Sequence, residues 1–476
     1  MTVSGSSSAD EWQHDPAALG ARLPSDFRVG VATAAFQIEG AVRDGGREPS
    51  TWDTFMGQRG RILDGSTAAI ATDHYNRSSE DVRLMRELGV DSYRFSLSWP
   101  RLQPGGKGPA NRAGLAFYDR LLDELLDAGI SPMTTLYHWD TPEPLQHVGG
   151  WLNRDTAYRF AEFAHLAGEA FGDRVDSWVT INEPATVTLN GYALGLHAPG
   201  AALLFDALPA AHHQLLGHGL AVAALRDAGV RGGIGITNVH SPVEPAGDSE
   251  EDALFGMLFD ILHNRIFADP VLLGRYPEIP EPFEPMFAFA RELDPEDFAI
   301  IAAPLDFYGL NYYMPTRIAA GSPGSSETPD GDSDAMRHLP FSLMPWPEFE
   351  STGFGWPVAP DYLRVTLLEL ESRYGAALPP IYITEGGASF ADTVAADGTV
   401  DDPARVRYLA AHLDVAISSV PGVDVRGYYV WSLLDNWEWA AGYSQRFGLV
   451  HVDFDTRART PKSSFRWLQR VIGGRS

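Results

Sequence analysis

The chain has 476 residues, 44% of them hydrophobic, no cysteine, and a formal charge of 36 minus 63, or −27. The absence of cysteine excludes disulfides and thiolate metal sites, and a charge of that sign and size opposes binding to nucleic acid or anionic lipid. The apolar runs are far shorter than a bilayer requires, and the N-terminus lacks the basic start and apolar core of a secretory signal, so a cytoplasmic location is expected.

Residues 1–20, beginning "MTVSGSSSADE", are expected to be a frayed, flexible terminus, and 21–476 a single domain, because no stretch reads as an interdomain linker. Strand-like apolar runs then alternate with amphipathic segments. "FRVGVATAAFQ" runs out to Gln37 and Glu39, "DSYRFSLSW" carries Arg94 and Trp99, and "ISPMTTLYHWD" ends on His138 and Trp139. "DSWVTINEP" ends on Asn182 and Glu183, "RGGIGITNVH" on Asn238 and His240, and "LDFYGLNYY" on Asn311 and Tyr313. "PPIYITEGG" ends on Glu385, and "DVRGYYVWSLLDN" leads from Trp431 to Asp435 and Glu438. Between the strands, "SSEDVRLMRELG", "AGLAFYDRLLDELLDAG", "TAYRFAEFAHLAGEAFG" and "DPARVRYLAAHLDVAISS" repeat apolar residues every three or four positions, often closing on Gly. The small, polar stretch 319–340 after the sixth strand reads as a mobile surface loop at the mouth of the fold. Eight strand and helix pairs predict an α/β fold, a single (β/α)8 TIM barrel with extended βα loops at its C-terminal face.

Chemistry in such barrels sits at the C-terminal ends of the strands. There, polar side chains beside flat rings suit a sugar, whose hydroxyls need donors and acceptors while its C–H faces need aromatic surface. Two strands end on a glutamate. Glu183 and Glu385 lie 385 minus 183, or 202, positions apart, so only a closed fold brings them together. A pair of carboxylates flanking one bond is the arrangement of glycoside cleavage, one protonated and the other ionised. Taken alone, "NEP" is as well read as a helix start with Pro184 at the first position; the second glutamate shifts the reading to catalysis.

The motifs "FQIEGA", "WDTF", "YRFSLSWPR", "YHWD", "INEP", "GYALGLHAPG", "GLNYY", "ITEGG", "WSLLDNWEWAAGYSQRFGLVHVDF" and "RTPKSSF", in this order, resemble family 1 of the glycoside hydrolases, the β-glucosidases and their relatives. The resemblance implies a retaining exo-β-glycosidase acting on terminal β-D-glucose, with galactose and fucose as further sugars, in small β-glycosides and short oligosaccharides. It implies Glu183 as acid/base and Glu385 as nucleophile. It further implies that Gln37, His138, Asn182, Glu438 and Trp439 bind sugar hydroxyls, that Trp431 forms the stacking floor with Phe447 lining the same subsite, and that Arg94 and Tyr313 hold the nucleophile. Trp139, Asn311 and Tyr313 join the expected substrate contacts. No metal and no organic cofactor is implied, and relatives often form homo-oligomers, which the resemblance extends to this chain as a partner class.

Three positions depart from the family pattern. Gly386 stands where most relatives have Asn, loosening the expected turn after the nucleophile; Ala185 stands where many have Trp, which predicts a wider leaving-group subsite; and Glu48 stands where a smaller residue is usual. The histidines of "HHQLLGH", 212–218, lack metal-site spacing and read as a solvated helix face; "RGGIGITN" lacks the spacing of a dinucleotide loop. A 6-phospho-β-glycosidase is the nearest rival reading, but Glu438-Trp439-Ala440 supplies no cation for a phosphate. A metal-dependent hydrolase lacks a ligand cluster, and a non-catalytic sugar-binding barrel is expected to have lost one of the two carboxylates.

Overall fold

In the computed structural model, which describes residues 12–325, 327–418 and 420–475, eight parallel strands close into a barrel. They are β1 (Arg28–Ala32), β2 (Ser92–Ser96), β3 (Ser131–Tyr137), β4 (Ser177–Asn182), β5 (Gly233–Val239), β6 (Phe307–Asn311), β7 (Ile381–Gly386) and β8 (Val425–Trp431). Each falls within a predicted strand run. Neighbours in sequence are neighbours in space, and β8 pairs with β1 to close the ring, Arg28 opposite Gly427 and Ala32 opposite Trp431. This is the (β/α)8 barrel expected from the alternation.

The four quoted helical patterns form His74–Leu88, Arg112–Asp127, Asp155–Phe171 and Pro403–Ile417. Their ends have local causes. The Asn111 side chain accepts from the Ala113 N–H to start the second, and Gly89, at φ 83°, adopts the left-handed backbone that stops the first. Their apolar faces pack on the barrel in one large buried cluster that includes Trp99, Phe117, Trp151, Phe160 and Trp178. A second cluster joins Met133, Val179, Phe307 and Tyr429 to Trp431, Trp437, Trp439 and Phe447, linking barrel residues to the strand ends.

Three sequence expectations require correction or comment. Within the expected frayed terminus, 1–11 lies outside the described residues, whereas Pro16–Gly20 is a helix whose Leu19 is fully buried. Asp15 caps that helix by accepting from the Ala18 N–H. The stretch 319–340 is not simply a loop. Thr316–Ala320 pairs with Phe341–Met344 and with Val243–Pro245 in a three-stranded sheet, and Glu327–Thr328 pairs with Gly331–Asp332. Of the three histidines in 212–218, two do not face solvent and the third, His213, is only partly exposed. His212 and His218 are fully buried on Leu208–Asp227; His212 bonds Asp297 (2.9 Å) and Tyr276 (3.1 Å), and His218 bonds Thr180 (2.7 Å). That helix is covered on several sides, so its polar positions find partners across the fold. Among the described residues no His, Asp and Glu cluster could hold a metal ion, and no helix is long and apolar enough to cross a membrane.

Candidate active site

Beyond the C-terminal strand ends lies a cleft of about 640 Å³, within the roughly 300–1,000 Å³ usual for small-molecule sites. Glu183 and Glu385 both line it, from the ends of β4 and β7. The sheet register positions their surroundings: the Glu385 Cα pairs with Asn311 of β6, so the Asn311 amide reaches Glu183. Asn311 Nδ2 donates to Glu183 Oε1 at 2.6 Å, and Thr186 Oγ1 donates to Oε2 at 2.7 Å.

The two carboxyls differ in their partners. Burial, and secondarily the charge of Glu385, pushes the Glu183 carboxyl up to about 7. Glu385 instead receives the Arg94 guanidinium on Oε1 and the Tyr313 hydroxyl on Oε2, the latter at 2.6 Å. Arg94 is itself fixed by Asn182 Oδ1 (2.6 Å) and the Thr384 carbonyl (3.2 Å). One carboxyl is thus neighboured by neutral donors and the other by a cation and a phenol.

His138, Trp139, Trp431, Glu438, Trp439, Phe447 and Tyr313 also line the cleft. The rings pack on one another: Trp139 on Trp439 at 4.5 Å between centroids and His138 on Trp431 at 5.8 Å, nearly parallel. Burial holds the His138 ring well below its ordinary range, hence neutral, and drives the Glu438 carboxyl up. Gln37, Arg94, Asn182 and Asn311 are buried against these cleft-lining residues. Gln37 donates to Glu438 (3.2 Å), and Asn182 bonds His138 Nε2 (3.1 Å). Gln37 Oε1 and His138 Nδ1 are buried without a protein partner among the described residues, a state that a ligand hydroxyl would relieve. Glu183, Trp139 and Trp439 hold left-handed backbone at φ 47°, 75° and 48°, a conformation that costs non-glycine residues of order 1–3 kcal/mol and clusters at functional sites.

Several strand-end residues turn out to be structural. Glu39 bonds Arg101 (2.8 Å) and Tyr118, Trp99 donates to Gln103, and Asn238 and His240 converge on the Tyr308 hydroxyl. Asp435 is fully buried between Lys462 and Arg446, each at 2.7 Å.

These features, two unlike glutamates facing one ring-walled cleft on a (β/α)8 barrel, agree with what comparison with known proteins finds. The model of glycosyl hydrolase family 1 matches residues 19–475. The chain belongs to glycosyl hydrolase family 1. It is 46% identical to a thermostable β-glucosidase B of Thermobispora bispora over 453 residues, 94% of this chain and 90% of that one. A bifunctional β-D-glucosidase/β-D-fucosidase of Bifidobacterium breve is 40% identical, with 95% of this chain and 99% of that one covered. The crystal structure of the psychrophilic β-glucosidase BglU from Micrococcus antarcticus superposes with a TM-score of 0.90 at 45% identity, covering 96% of this chain and 98% of that one.

Two departures from the family 1 pattern acquire a physical account. A Cβ on Gly386 would lie 2.3 Å from the Tyr428 hydroxyl and 2.8 Å from its Cζ, so space, not turn flexibility, requires glycine there. Gly386→Ala is expected to lose about 1–3 kcal/mol of stability by overpacking, read as a lower Tm, and Tyr428→Phe in the same chain, which removes the hydroxyl nearest the new Cβ, is expected to recover part of it. Ala185 is buried and does not line the cleft; it sits in an apolar cluster with Leu208, Leu262 and Phe341, which do. Glu48 is exposed, and nothing in the structure explains it. Thr186, missed from sequence, is a hydroxyl three residues beyond Glu183; that spacing places it one helical turn on, within reach of the carboxyl.

Proposed function

We propose that the chain is a retaining exo-β-glucosidase, hydrolysing terminal β-D-glucosyl residues, with β-galactosides and β-fucosides as further substrates. The observation that carries the reading is the unequal pair. Glu183, pushed up to about 7, holds a proton near neutrality and gives it to the departing glycosidic oxygen. The Glu385 carboxylate, aligned by Arg94 and Tyr313, attacks the anomeric carbon from the opposite face and forms a glycosyl-enzyme. Glu183, now ionised, takes a proton from water as the water attacks that intermediate, and two inversions give net retention. Trp431 offers the sugar an apolar floor, while Gln37, His138, Asn182, Glu438 and Trp439 answer its hydroxyls. The identities to enzymes named β-glucosidases support the sugar, and the bifunctional relative supports fucose.

A 6-phospho-β-glycosidase reading is disfavoured: no Lys or Arg is among the described residues that line the cleft, whereas Glu183, Asp330, Glu385 and Glu438 are. Proton NMR of the sugar first released from an aryl β-glucoside tests the reading. The β-anomer is expected before mutarotation; the α-anomer first would contradict retention. The pH dependence follows from the acid. Glu183 is competent only while protonated, so kcat/KM for an alkyl β-glucoside is expected to fall tenfold per pH unit as pH rises through about 7. A limb with its midpoint well above 9 would assign the acid elsewhere.

A further inference from the structure

The hydrogen bonds behind the two glutamates run in one direction, and Arg94 sets it. A guanidinium only donates, so the amide atom of Asn182 that Arg94 Nη2 meets at 2.6 Å is its oxygen. That same oxygen lies 3.2 Å from the Asn311 amide, which must therefore present its nitrogen there, and the nitrogen reaches on to Glu183 Oε1 at 2.6 Å. The Asn311 oxygen is left facing β7, where Thr384 Oγ1 donates to it at 2.8 Å. Because the Thr384 proton is committed to Asn311, its oxygen accepts, and Thr237 Oγ1 supplies the donor at 3.2 Å. Arg94, Asn182, Asn311, Thr384 and Thr237 stand on β2, β4, β6, β7 and β5 and are all buried, so the barrel itself fixes the order.

The consequence falls on the acid. With an N–H held against it, Glu183 Oε1 is an acceptor in both ionisation states, and an added proton is left Oε2 to occupy. Thr186 Oγ1 meets Oε2 at 2.7 Å; its hydroxyl is a rotor that donates to the ionised oxygen and turns a lone pair to the protonated one. Asn311 is fully buried, whereas Thr186 is half-buried and lines the cleft, so Oε2 is the oxygen on the open side. Thr237 also holds the acid's backbone, its carbonyl accepting from the Glu183 N–H at 2.8 Å. The charged and titratable groups around Glu183 are Glu385 of β7 and Arg94 of β2, with Tyr313 beyond β6 and Glu438 beyond β8 also within reach of its charge.

We infer that Thr384 is a positioning residue for the acid: its hydroxyl, braced by Thr237, holds the Asn311 amide in the orientation that keeps Glu183 Oε1 an acceptor and seats the transferable proton on Oε2, toward the leaving oxygen. The inference rests on the reading of Glu183 as the acid. Thr384 acts through Asn311 and is fully buried. Its carbonyl accepts from Arg94 at 3.2 Å, so its side chain serves the acid while its backbone serves the cation on the nucleophile. A side-chain substitution separates the two.

Thr384→Val removes the hydroxyl at nearly constant volume, Thr384→Ala removes it without added bulk, and Thr384→Ser keeps it. Without that donor the Asn311 amide turns more freely, and either result, a weaker N–H contact or an oxygen turned toward Oε1, disfavours the ionised acid. In the two variants that lack the hydroxyl, the alkaline limb of kcat/KM for an alkyl β-glucoside is expected to move up by about one pH unit. The plateau on its acid side is expected to fall about tenfold, because the proton is less well aimed. For dinitrophenyl β-glucoside, which needs no proton, kcat/KM is expected to change far less, and Thr384→Ser is expected to keep the limb and plateau of the unaltered chain. Titration of the Glu183 carboxyl by NMR reads the same upward shift without catalysis. A Glu183 titration left in place by both Thr384→Val and Thr384→Ala overturns the inference whatever the activity, and so does a shift that Thr384→Ser shows in full, since the hydroxyl is then not its cause. A titration that moves as expected while the limb does not follow upholds the hold of Thr384 on Glu183 and removes Glu183 from the role of acid.

Discussion

Glu385→Gln is expected to lower kcat for β-glucosides on the order of 10⁵-fold, the scale seen when a nucleophile acting within a concerted set is removed. The substitution keeps an amide oxygen to accept from Arg94, which retains Asn182 Oδ1 and the Thr384 carbonyl as further acceptors. The buried guanidinium is therefore not stranded, and the loss is chemical. Circular dichroism and Tm close to those of the unaltered chain check that point. A second readout comes from the neighbour. Part of the upward push on Glu183 is the charge of Glu385, so neutralising position 385 is expected to bring the Glu183 titration down from about 7, observable by carboxyl NMR. A kcat loss under tenfold would remove Glu385 from the role of nucleophile.

Glu183→Ala is expected to divide substrates by leaving group. For alkyl β-glucosides, whose alkoxide departs poorly without a proton, the loss in kcat/KM should be about 10²–10⁴-fold; for dinitrophenyl β-glucoside, which needs no protonation, it should be much smaller. The alkaline limb near pH 7 should also vanish, because the group whose ionisation causes it is gone. Thr186 and Asn311 lose their acceptor in this variant, and with Thr186 only half-buried its hydroxyl can turn to water. Equal losses for both substrates would mean that Glu183 positions the sugar rather than donating a proton.

The barrel was legible because its strands are continuous apolar runs, such as "DSWVTIN" and "PPIYIT", bounded by turns and followed by helices of 3.6-residue period. The two glutamates were legible because each interrupts such a run at its end, where an unpaired carboxylate is costly. What stayed hidden depends on partners far along the chain. His212 and His218 look solvated beside Gln214 and Gly217, yet Asp297, Tyr276 and Thr180 satisfy them inside the fold. Glu39 and Asp435 look like site residues because they follow strands, yet Arg101, Arg446 and Lys462 claim them. The demand for glycine at 386 comes from Tyr428, 42 positions later (428 minus 386) and on the adjacent strand β8. Local periodicity carries none of these pairings, which arise only when the barrel closes.

Incubation with an activated 2-deoxy-2-fluoro-β-glucoside, followed by intact mass and peptide mapping, tests the central claim most directly. The fluorine slows both formation and breakdown of the glycosyl-enzyme, and the good leaving group restores formation alone, so the intermediate accumulates. One sugar per chain, carried on Glu385, is the expected result. A sugar on another residue, or no adduct under conditions in which the same preparation turns over aryl β-glucosides, would contradict Glu385 as the nucleophile.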